Sequence, residues 1–115
     1  MLRHKALLLS LTLLPALAHA ELYISIVEGL SGTSEYLEEF DGMREKISAA
    51  SATIADADKI SVFSGEEATQ EKLLAHFTAL GTRMTANDRA VIYLIGHGSF
   101  DGAQYKFNIP GPDLT

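Results

Sequence analysis

The residues best placed to do chemistry lie in the stretch VIYLIGHGSFDG, residues 91–102, where an apolar run ends at His97 between Gly96 and Gly98. Histidine is the side chain whose ordinary titration falls near neutral pH, so it can exchange protons with a reacting group or bind a metal. Glycines on both sides permit backbone angles that a side chain would forbid and let another group come close. The bland alternative is a loop histidine beside two turn glycines. Position argues for more than that, because functional groups of open parallel α/β sheets gather at the carboxyl ends of the strands. A nucleophile elbow, G-x-S-x-G, is excluded: counted from Gly96 it needs serine at 98 and glycine at 100, where the chain has Gly98 and Phe100.

Other candidate groups read as scaffold. Glu35, Glu38, Glu39 and Asp41 fall mostly off the apolar stripe of a helix, as a solvated face would. Asp56 and Asp58 lack the glycine and downstream glutamate that a calcium loop requires. His76 sits at the edge of a second apolar stripe and reads as a partly exposed helical histidine. With no cysteine in the chain, disulfides and thiolate metal sites are excluded within it.

The elements that must position His97 follow from pattern. Residues 22–27, LYISIV, and 59–63 read as strands, and the continuous run 90–95, AVIYLI, as a strand covered on both faces. Between them, Tyr36, Leu37, Phe40, Met43 and Ile47 mark a helix over 34–50. Leu73, Leu74, Phe77, Leu80 and Met84 mark another over 70–83, with Thr69 as its N-cap. The order β-α-β-α-β predicts parallel strands joined by right-handed crossovers, and so a three-layer α/β/α sandwich. Beyond His97, Asp101-Gly102 reads as a turn, Ser99 as a loop-orienting residue, and the remainder as a short β excursion. It ends in a proline-glycine turn in which Asp113 or Thr115 could cap a helix.

The first twenty residues carry a different signal. Arg3 and Lys5 precede the apolar segment Ala6–Leu17, and Ala18-His19-Ala20 is a small-x-small boundary. The segment is too short for a spanning helix and reads as a secretory signal peptide, with the mature chain starting at Glu21 and exported to the periplasm or beyond. Without Arg3 and Lys5, seven basic face fifteen acidic side chains, a formal charge of −8. That balance argues against nucleic acid or an anionic membrane as partner.

Two resemblances bear on His97. LIGHGS is similar to the strand-end histidine motif of class II tetrapyrrole chelatases, where histidine binds the inserted metal; there the motif follows the first strand and opens a long helix. A broader resemblance, from LYISIV through ISVFSGEEATQEKLLAHFTAL and TANDRAVIYLIGHGSFDG to YKFNIPGPDLT, is to the caspase–haemoglobinase fold of cysteine peptidases, the caspases, metacaspases and legumain. Its most specific elements are the Ala-Thr before the second helix, Asp88 before the third strand, and strand-Gly-His-Gly. The resemblance implies strand order 2-1-3, His97 as the catalytic imidazole, and the Gly98 N–H as a donor to the oxyanion. It implies a polypeptide substrate or protein partner and no cofactor or metal. In that family the nucleophilic cysteine ends a fourth strand beyond the histidine, so the chain is expected to be an amino-terminal part of a longer domain. A catalytically inactive binding module on the same fold is the competing expectation. The loop EGLSGTSEY offers Ser31 and Thr33 but no asparagine of the legumain type.

Overall fold

A computed structural model describes residues 19–115; residues 1–18, most of the expected leader, lie outside the described residues. Three parallel strands, β1 (Leu22–Glu28), β2 (Ile60–Phe63) and β3 (Arg89–Ile95), form a sheet in the order β2-β1-β3. β1 is central, pairing Ile24–Val27 with Ile60–Phe63 on one side and Leu22–Glu28 with Arg89–Ile95 on the other. The expected α/β sandwich and strand order are both present.

Side-chain alternation along β1 assigns the layers. Ile24 and Ile26 pack with Phe40 and Ile47 of helix α1 (Ser34–Ser51) on one face. Val27 packs with Leu73 and Phe77 of helix α2 (Gln70–Arg83) on the other, joined by Ala68 and Ile109. Both helices start at threonine caps: Thr33 Oγ1 accepts the Tyr36 N–H and Thr69 Oγ1 the Lys72 N–H. Each cap satisfies one of the orphan donors of a first turn.

β3 departs from its sequence pattern. The run AVIYLI suggests cover on both faces, yet Val91, Ile92, Tyr93 and Leu94 are exposed, and only Ile95 is buried. The reason is place rather than composition. β3 lies at the sheet's edge, and among the described residues neither helix reaches over it as it does over β1.

After β3 the chain forms a small antiparallel hairpin, β4 (Gly98–Phe100) and β5 (Tyr105–Phe107). Its turn is made by Asp101, whose Oδ1 accepts the N–H groups of Ala103 and Gln104, with Gly102 at φ 96°. The final residues fold back, Leu114 bridging Phe107. Asp113 accepts the Ile109 N–H at 3.4 Å and, through its carbonyl, the Gln70 side chain at 3.2 Å. Asp113 therefore ties the tail to α2.

Candidate functional site

The strand order fixes where a site can form. From β1 the chain leaves to β2 on one side, then returns past β1 to β3 on the other, carrying α1 and α2 over opposite faces. The loops after β1 and β3 therefore diverge at a topological switch point, where α/β sheets bind ligands. His97 stands at that point, two residues past the end of β3.

Its ring is held from three directions. Nε2 lies 3.0 Å from the Ser31 carbonyl oxygen, in the loop after β1. Tyr36 meets the ring edge-on at 4.6 Å between centroids, and Phe40 packs at 5.2 Å. A carbonyl oxygen only accepts, so the neutral imidazole carries its proton on Nε2 and keeps its lone pair on Nδ1. This bond sets the tautomer by backbone alone. Ser31 matters here through its carbonyl, a role no side-chain pattern could signal.

The segment 107–109 straps the two loops together. Asn108 donates its N–H to the His97 carbonyl at 3.0 Å and accepts the Leu30 N–H at 2.9 Å. Its side-chain oxygen accepts the Ser99 hydroxyl at 3.2 Å. Phe107 lies against the glycines of both loops: a Cβ on Gly96 would stand 2.9 Å from its ring, and one on Gly29 3.0 Å. A Cβ on Gly29 would also strike the Asn108 carbonyl. Gly96 is thus required by close packing under the histidine. Asn108 and Phe107 lie in a stretch whose sequence reads only as a β excursion, and their part in the site is visible only in three dimensions.

Gly98 opens β4 opposite Phe107. Because Asn108 bonds the His97 carbonyl, the alternation of an antiparallel ladder makes Gly98 and Phe107 a non-hydrogen-bonded pair. Phe107 confirms the alternation by exchanging its hydrogen bonds with Leu114. The Gly98 N–H therefore points away from β5, at an exposed position beside His97. Ser99 orients the strap, as expected of a loop-orienting residue, and Asp101 serves the turn and pairs with Lys106 at 3.1 Å.

Two other polar clusters flank the sheet. Glu28, buried at the end of β1, receives Arg44 Nε at 2.6 Å, while Arg44 Nη2 reaches Asp41 at 3.0 Å. Burial pushes the Glu28 carboxyl up in spite of Arg44, whereas the same guanidinium holds Asp41 below the usual range. On the opposite face Ser25 Oγ lies 2.8 Å from His76 Nε2, under Phe63 and Phe77. Burial pushes the His76 imidazole down, aided by the Arg83 charge, and the serine hydroxyl satisfies its Nε2. Ser25 is 2% exposed, which makes this pair a satisfied core contact and no nucleophile. His76 is half-buried, as its stripe-edge position suggests, but its partner was not legible from helix spacing.

Comparison of the chain with protein-family models, curated proteins and solved structures finds no match. Among the described residues no group of three or more histidine, aspartate or glutamate side chains is arranged to hold a metal ion.

Proposed function

We infer that this chain is the histidine-bearing part of an exported caspase- or legumain-like cysteine endopeptidase domain. The observation that carries the reading is the tautomer of His97. With Nε2–H bound to the Ser31 carbonyl, Nδ1 is the basic atom, able to take a thiol proton and return it to a leaving amine. The Gly98 N–H, turned off the hairpin ladder beside it, supplies a donor for the oxyanion of a tetrahedral intermediate. Base and donor on adjacent residues at a sheet switch point suit acyl transfer from a peptide.

The chain holds no cysteine, so in this reading the nucleophile lies past Thr115. The same fact favours one second reading, a binding module on this fold that holds peptide without cleaving it. Reading the gene beyond Thr115 separates them. A cysteine ending a further small-residue strand supports the peptidase; a strand ending in any residue without a nucleophilic side chain supports the binding module.

A further inference from the structure

The far end of the sheet carries a second polar constellation that catalysis at His97 does not use. The Glu21 N–H donates to Asp88 Oδ1 at 2.8 Å, and the Thr85 N–H donates to Asp88 Oδ2 at 2.7 Å. The Glu21 carbonyl in turn accepts the Arg89 N–H at 2.9 Å. Glu21 is thereby fixed from both sides against the start of β3, while Ala20, one residue earlier, is exposed. Both oxygens of Asp88 are held by backbone N–H groups, and among the described residues no cationic side chain pairs with it. The half-buried Asp88 carboxylate thus stands where a charge on the Glu21 nitrogen would find its counter-ion.

We propose that cleavage after Ala20 turns the Glu21 nitrogen into the α-ammonium of the mature chain, captured by Asp88 as an ion pair that locks the first strand to the third. The inference rests on reading residues 1–20 as a leader removed by a signal peptidase. Hydrolysis adds water across the Ala20–Glu21 bond: the C–N bond breaks, the leader departs as a carboxylate, and the freed amine takes up a proton. The nitrogen then has three donors and a positive charge where the uncut chain has one neutral N–H. Its distance to Asp88 Oδ1 already suits a charge-assisted bond.

The charges around it decide the sign. Asp88 faces the nitrogen directly. The Glu21 carboxylate reaches Lys59 at 3.8 Å, and Lys59 is also met by Asp56 at 3.6 Å and Asp58 at 3.5 Å. Lys59, the neighbouring cation, is therefore offset by three carboxylates, and the Arg89 side chain is exposed to solvent. The field at the new terminus is net acidic and favours the ammonium.

The test uses the protein processed by a bacterial host. Mass spectrometry must first show Glu21 as the amino-terminal residue; a product starting elsewhere overturns the leader reading and the proposal with it. The α-amino pKa, followed by NMR, is then expected about one unit above its ordinary value of roughly 7.7–8.0. It should return to that value in Asp88→Asn. In the wild-type protein, acetylating the α-amine should raise the Asp88 carboxyl pKa and lower the melting temperature, a comparison that needs no variant. A chain that begins at Glu21, with an unshifted α-amine and an Asp88 titration indifferent to acetylation, leaves the leader standing and overturns the ion pair.

Discussion

The Ser31 carbonyl holds His97 by one nitrogen and two aromatic rings pack against it, so orientation and tautomer are set together. Long-range proton–nitrogen NMR of the neutral imidazole should therefore show the proton on Nε2; a proton on Nδ1 would contradict the site geometry. The same packing changes what His97→Ala should do to the fold. From sequence the residue reads as a loop histidine whose loss leaves the fold untouched, but it is half-buried on α1. Truncation should cost about 1–2 kcal/mol, through one hydrogen bond and the aromatic contacts, so activity must be read beside a thermal melt. His76 contributes a pH dependence. Its folded pKa is depressed below the 6.5 of the free side chain, so the unfolded chain binds the proton more readily. That contribution to stability is complete above about pH 6.5 and is lost as pH falls through the lower folded pKa. Melts of wild type and His76→Gln across this range check it: the variant's slope should be flatter, and an unchanged slope would remove His76 as its source.

At the scale of elements, the parts that local pattern can specify were legible. The apolar stripes Tyr36–Ile47 and Leu73–Leu80 have helical period, Thr69 is a recognisable cap, and LYISIV can only be a strand. The motif Gly96-His97-Gly98 stood out because glycine flanks are costly without cause. What was not legible depends on chain reversal. Asn108 and Phe107 reach the site from beyond the hairpin, and Ser31 acts through its backbone, so no spacing rule marks them. Serine at 25 within an apolar strand gave a signal, a buried hydroxyl needing a partner, but not which partner. Two substitutions examine these long-range ties. Gly96→Ala would drive a Cβ against the Phe107 ring and should destabilise the fold by roughly 1–3 kcal/mol, seen as a lower denaturation midpoint. Arg44→Ala would strand the buried Glu28 carboxylate. Breaking a fully buried pair costs about 3–5 kcal/mol, and the partly exposed guanidinium should bring this to roughly 1–3. Glu28→Gln in the same background should recover part of the loss, since an amide needs no counter-charge.

For the whole molecule, the uneven cover of the sheet is the dominant feature. β1 is closed on both faces, while β3 presents Val91, Ile92, Tyr93 and Leu94 between 39% and 51% exposed along an edge that is unpaired among the described residues. An apolar edge with free backbone groups pairs with other strands. A chain of residues 21–115 should therefore self-associate with rising concentration, and Ile92→Lys should shift it toward monomer in sedimentation; a wild-type monomer with a sharp, cooperative melt would show that the edge needs no cover. The same edge would be completed by a further strand bearing the proposed nucleophile, which brings the whole account to bear on His97. The decisive measurement is peptide cleavage by the gene product extended past Thr115, beside its His97→Ala variant, with both shown folded by thermal melts. Cleavage by the parent and loss of turnover in the variant is the predicted result. An active parent whose folded His97→Ala variant cleaves equally well would contradict the catalytic role of His97.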